Sequence, residues 1–216
     1  MIYVYAITDA RPPALMSTGI GGARVESTAA AGLYAVCSVH ADEADVAPAP
    51  DALWAHEAVV DELLSTNTVL PLRFGTTLGD ADALRDLLRR EQGRFCNLLD
   101  RVRGHVELAV RVALPDPDGD VEAPADGAVY LKMRAANRQA REAAAQIVLA
   151  PLDDLATASS HRQDDAAVLR ASYLVRPEEV ARFAAEVRRL QDAHPQLTVS
   201  CTGPWAPYSF VRERAR

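Results

Sequence analysis

Pro115-Asp116-Pro117-Asp118-Gly119-Asp120, continuing to Pro124, interrupts the apolar patterning of this 216-residue chain more sharply than any other stretch. Its prolines fix φ and withhold backbone donors, while its acids and glycine favour turns over helices or ladders. It therefore reads as a link over 115–127 joining an N-terminal domain, 1–114, to a C-terminal domain, 128–216. Either half is long enough to bury more than half of the surface its unfolded chain exposes.

Upstream of the link, Val106 to Leu114 alternates Glu107 and Arg111 with apolar neighbours and predicts a strand. Before it, Leu84, Leu87, Leu88, Phe95, Leu98, Leu99 and Val102 form a stripe at helical spacing, with Thr77-Leu78-Gly79-Asp80 as the opening cap and Gly104 as the stop. Val69-Leu70-Pro71-Leu72-Arg73-Phe74 is strand-like, and Pro71 removes a ladder donor, which favours an edge or a strand start. Asp51 is placed to cap a helix over 53–64, and Ile2 to Ile7 and Leu33 to Val39 read as strands, with a weaker one around Arg24 to Glu26.

Downstream, Tyr130 to Leu149 is rich in Ala, Arg and Glu and reads as a long helix ending before Pro151. Val168 to Val175 is a strand. Pro177 then suits the first position of a helix, Glu178 and Glu179 favour its positive end, and Val180, Phe183, Val187 and Leu190 form one apolar face. Leu197 to Thr202 is the last strand. The fold class is α+β, two small domains, and the alternation of short strands with helices suits open, mainly antiparallel sheets with helices on one face, of ferredoxin-like kind.

Composition narrows the function. The chain is 49% hydrophobic and 25% charged, which is ordinary for a globular protein. A formal net charge of −7 argues against a general affinity for nucleic acid, which needs a basic face. No apolar run approaches the ~20 residues that cross a bilayer, and no basic region precedes Met1-Ile2-Tyr3-Val4-Tyr5 as in a signal peptide, so no membrane partner and a cytoplasmic location are expected. Cys37 and Cys201, in apolar strand-like runs, and Cys96, beside Phe95 in a helix, are odd in number and read as reduced.

Catalytic and metal patterns are sparse. Gly19-x-Gly21-Gly22 lacks the strand, helix and Lys of a phosphate loop and reads as a turn. His56-Glu57 begins like a zinc motif, but Val60 stands where the second histidine belongs, so His56 reads as part of a solvated helix face. Ser159-Ser160-His161 reads as a polar linker, and Asp153-Asp154 and Asp164-Asp165 lack the interleaved ligands of a calcium loop. No catalytic residue, cofactor or metal is assigned, and the chain reads as a non-enzyme. The competing reading is a small phosphate- or metabolite-binding enzyme or sensor of ferredoxin-like fold centred on Arg73, whose guanidinium suits a bidentate phosphate.

Two segments resist a compositional explanation. Leu70-Pro71-Leu72-Arg73-Phe74-Gly75-Thr76 ends a strand in a charged, aromatic, glycine corner. In Gly203-Pro204-Trp205-Ala206-Pro207-Tyr208-Ser209-Phe210, two prolines hold the aromatics in an extended path, either as plugs for a core or as a platform for a partner. Leu70, Leu72, Arg73, Phe74, Trp205 and Tyr208 are accordingly the candidate partner-binding residues.

At these segments the chain resembles the gas vesicle protein F/L family (GvpF/GvpL). The likeness extends to Tyr3-Val4-Tyr5-Ala6-Ile7, Trp54-Ala55-His56 with Val59, Tyr173-Leu174-Val175 and Thr202 to Val211, with Ala206 standing where the family often has a second proline. The resemblance implies a non-enzymatic accessory protein of gas vesicle assembly, with an N-terminal ferredoxin-like domain and a C-terminal α+β domain of modified ferredoxin-like kind. It implies that the chain associates with the vesicles, binding the major shell protein GvpA and other accessory proteins during nucleation or growth of the shell. It transfers no catalytic residues.

Overall fold

The computed structural model describes residues 1–113, 127–165 and 168–211. They form two compact units, one comprising Met1–Val106 with the closing segment from Trp205 onward, the other Glu107–Pro204. These differ from the expected domains of 1–114 and 128–216 at both ends. The expected link over 115–127 falls, apart from Gly127, outside the described residues. The strand before it and the helix after it both belong to the second unit.

In the first unit, β1 (Ile2–Thr8), β2 (Glu26–Ala30), β3 (Leu33–Val39), β4 (Val69–Pro71) and β5 (Thr77–Leu78) make one sheet. Its order is β2-β3-β1-β4, with β5 also on β1, and every described pairing is antiparallel. All seven residues of β1 are buried. Helix α1 (Pro50–Leu64) packs Val59, Val60 and Leu63 with Tyr3, Tyr5, Ala6 and Val69. Ile7 and Leu70, their neighbours along the two strands, instead line a cleft with residues of α2 (Ala81–Arg90) and α3 (Gln92–Val102). Successive strand side chains point to opposite faces, so α1 lies on one face and cover from α2 and α3 joins it on the other. The helices on one face expected from the sequence are thereby extended to both, which suits a central strand buried along its whole length.

Local details depart from expectation. Pro50, not Asp51, opens α1, with Ala49 in the capping position and Asp51 in the first turn. A proline there needs no N–H and has its φ preset. Asp80 does cap α2, accepting from Ala83 N–H at 2.8 Å. The single stripe from Leu84 to Val102 is carried by two helices that meet at Glu91, whose φ of −98° and ψ of 9° leave the helical basin.

The second unit runs β6 (Val106–Ala113), α4 (Gly127–Asp153), β7 (Ala158–Asp165), β8 (Val168–Val175), α5 (Val180–Ala193) and β9 (Thr198–Trp205). Its sheet order is β7-β8-β6-β9. This is the βαββαβ ferredoxin-like arrangement, and β6 supplies its first strand. Alternate residues Leu108, Val110 and Val112 of β6 and Leu169, Ala171 and Tyr173 of β8 enter one core, met by Val148 and Leu152 of α4 and Phe183 and Val187 of α5. Ser159-Ser160-His161, expected in a linker, lies within β7, paired antiparallel with β8. As the edge of the sheet, β7 tolerates polar residues, and so it lacks the apolar alternation that announces a strand.

Candidate functional site

Between Tyr3 and Ala6 the strand β1 has only Val4 and Tyr5, whereas between Pro71 and Thr77 the edge strand has five residues, Leu72 to Thr76. The motif Leu72-Arg73-Phe74-Gly75-Thr76 is therefore a bulge that splits one edge strand into β4 and β5. Its ends are tied down where Leu72 N–H donates to Tyr5 O and Val4 N–H to Thr76 O, each at 2.9 Å. Gly75 has φ of 84°, in the left-handed region that glycine enters without a Cβ penalty. The turn it makes points its N–H at the Tyr3 hydroxyl, 3.1 Å away.

That contact begins a chain of side-chain bonds. Tyr3 Oη lies 2.8 Å from His56 Nδ1, His56 Nε2 lies 3.1 Å from Tyr208 Oη, and the Tyr208 hydroxyl donates to Glu57 Oε1 at 3.0 Å. A hydroxyl has one proton to give. Tyr208 gives its proton to Glu57, so it accepts from His56 Nε2–H, and His56 Nδ1 accepts from Tyr3. One neutral imidazole tautomer thus satisfies the whole relay. Burial pushes the His56 pKa down to about 4 and drives the Tyr3 and Tyr208 hydroxyls well above the usual tyrosine range. His56 is 1% exposed, which corrects its reading as part of a solvated helix face. The helix face is decided by packing against Tyr3, Tyr5 and Phe74, whose ring centroids lie 5.6–5.9 Å from the imidazole.

A second network sits beside it. The Tyr5 hydroxyl meets Ser38 Oγ at 2.7 Å and accepts from Ile20 N–H at 3.0 Å, and Ser38 Oγ lies 2.8 Å from His40 Nε2. This explains the glycine turn: a Cβ at Gly19 would collide with the Tyr5 hydroxyl. The Gly19-x-Gly21-Gly22 stretch forms a short 3-10 turn over Ile20–Gly22, against the tyrosine.

The closing segment passes from one helical layer to the other. Ala206 packs in the α1 core, Tyr208 joins the relay, and Phe210 is buried with the Arg101 guanidinium of α3 6.0 Å from its ring centroid. Along the way Tyr208 and Val211 help to line a cleft of about 450 Å³. Ile7, Leu70 and Pro71 contribute from the sheet, Leu87, Phe95 and Leu98 from α2 and α3. Leu72, Arg73 and Thr76 of the bulge form another side, together with Arg94.

The cleft brings together Leu70, Leu72, Arg73 and Tyr208 from the six candidate residues. Phe74 turns instead toward Tyr3 and His56, and Trp205, 49% exposed at the end of β9, is not part of the lining. The sequence reading missed Leu87, Phe95 and Leu98 as cleft residues, because a leucine stripe does not reveal that Leu87 and Leu98 stay half-exposed beside the buried Phe95. It also missed the relay, for which Tyr3 and Tyr5 in an otherwise aliphatic strand are the available signal. Among the described residues no cluster of His, Cys, Asp and Glu could hold a metal, and no helix is long and apolar enough to cross a membrane.

The family model described as gas vesicle synthesis protein GvpL/GvpF matches residues 1–212. Gas vesicle protein L of a Streptomyces species is 33% identical, with 97% of this chain and 92% of that protein covered. Gas vesicle protein F2 of Halobacterium salinarum is 30% identical over 97% of this chain and 91% of its own length. The crystal structure of GvpF from Anabaena superposes with a TM-score of 0.83 at 18% identity, covering 99% of both chains.

Proposed function

Because this chain belongs to the GvpL/GvpF family of gas vesicle synthesis proteins, we propose that it binds the major shell protein GvpA, and other accessory proteins, while the shell nucleates or grows. The binding is non-enzymatic and takes place in the cytoplasm on or beside the forming vesicle. A shell subunit exposes apolar surface or open strand edges before assembly, and both invite aggregation unless covered. The observation that supports the reading is the cleft beside the edge-strand bulge, where half-exposed leucines and Arg73 sit within a rigid frame.

The geometry favours this cleft over strand addition at β4. That strand has three residues, and the closing segment runs past it from one helical layer to the other. A docked side chain would gain by burying Leu87, Leu98 and Leu72 at about 25 cal/mol per Å² of apolar surface removed from water. The test is co-purification of tagged protein with co-expressed GvpA. Leu98→Asp, at a half-exposed cleft position, should abolish capture while leaving the melting temperature nearly unchanged. Undiminished capture by that variant would sink the cleft as the binding site.

A further inference from the structure

We infer that the partner segment received by this cleft pairs aliphatic side chains with a carboxylate, and that Arg73 is the residue that receives the carboxylate. The inference rests on the reading that the cleft is the partner site. The chain carries a formal net charge of −7, yet among the described residues the cleft lining includes two arginines and no acidic residue. The site is thus locally opposite in sign to the protein around it.

The arginines near it differ in what holds them. Arg94 is paired with Glu91 at 3.6 Å, Arg101 lies over Phe210, and Arg103 is held by Asp9 at 2.6 Å and Asp100 at 2.8 Å. Arg73 is exposed and has no carboxylate or ring partner among the described residues. Its backbone is fixed, because its carbonyl accepts from both Thr76 N–H at 3.1 Å and Thr76 Oγ1 at 2.7 Å. A guanidinium on a braced bulge, its planar fork without a carboxylate partner among the described residues, matches a carboxylate bidentately. The leucine and phenylalanine walls argue against a bare phosphate as occupant, since an anion alone would leave them facing water.

The experiment measures affinity and association rate for purified shell protein against Arg73→Gln, Arg73→Glu and Leu98→Asp, at low and high salt, with melting temperatures as a check on folding. The charge reversal should weaken binding about tenfold or more, mainly by slowing association, and Arg73→Gln by a smaller factor. High salt should bring the unaltered protein down to the level of Arg73→Gln, by screening. Loss of binding in Leu98→Asp together with full binding in Arg73→Glu would overturn the carboxylate pairing and leave the cleft reading standing. Full binding in Leu98→Asp would overturn both. Inorganic phosphate that raises the melting temperature through Arg73, equally in the Leu98→Asp variant, would overturn the inference in favour of a small-anion site.

Discussion

In the second unit a regular βαββαβ sheet closes on an apolar core, with alternate residues of β6 and β8 facing the helices and few polar groups to satisfy. In the first unit the central strand is fully buried, its edge partner is split by a bulge, and Tyr3, Tyr5, His40 and His56 carry hydrogen bonds through the interior. The difference is one of what holds the parts in place. Apolar packing tolerates volume-conserving exchange, whereas a buried polar relay must be complete, because each lost partner leaves another group unsatisfied. The unit with the relay also carries most of the short motifs of the family likeness. Arg73-Phe74-Gly75-Thr76 makes the bulge, Trp54-Ala55-His56 supplies the imidazole, and Pro207-Tyr208 supplies its acceptor.

The largest test of this contrast is Phe183→Ala. The ring is fully buried, 5.1 Å from Tyr173, and its loss should cost about 4 kcal/mol. Hydrogen exchange should show β8 amides losing protection while β1 amides keep theirs, and equal loss in both would mean that the units open as one. Next in size is an acid effect confined to the first unit. The His56 pKa of about 4 in the fold lies below its ordinary 6.5, so the unfolded chain binds the proton first as pH falls. Its contribution is full above about pH 6.5 and is lost as pH drops toward 4, reaching about 3 kcal/mol. Glu57, shifted upward by desolvation, acts with the opposite sign and offsets part of the loss. Exchange of β1 amides between pH 7 and 4 should show the slope, and His56→Gln should flatten it. A slope unchanged in that variant would assign it to other groups.

Tyr208→Phe should cost about 2 kcal/mol, since His56 Nε2–H loses its acceptor and Glu57 its donor. A urea midpoint equal to that of the unaltered protein would show that water replaces the hydroxyl without loss. Trp205→Ala is the smallest, within about 1 kcal/mol, because half the residue already faces solvent. A drop of several degrees in melting temperature would return Trp205 to the core.

The second unit was largely legible in its elements, because period-two strands and an apolar helix face announce themselves at Val168 to Val175 and Val180 to Leu190. Its polar edge strand β7 was not, and assigning β6 to the first half hid the complete βαββαβ order. Proline-rich composition between β6 and α4 looked like a domain boundary, yet a crossover between two elements of one unit can have the same composition. In the first unit, Pro71 correctly signalled an edge. His56 was misread because helical spacing places it beside Val59 and Val60, and only the tertiary packing of Tyr3 and Tyr5 determines that a histidine there is interior. Of the candidate residues, Leu70, Leu72, Arg73 and Tyr208 converge on the cleft, a convergence the sequence signalled only through their unusual motifs.

His56 and Tyr208 stand 152 residues apart in the chain, and the whole second unit lies between them. On a translating ribosome, α1 and the bulge emerge early, but the acceptor that completes the histidine's bonding emerges only after all of β6 to β9. The unit made first is therefore finished last. Until then a nascent chain carries a folded or folding ferredoxin-like unit tethered to a half with an unsatisfied imidazole and a cleft lacking one wall. A long-range closure of this kind adds little to equilibrium loop cost but delays assembly, so a partner that needs Tyr208 in its docking site meets a competent surface only when synthesis has passed that residue.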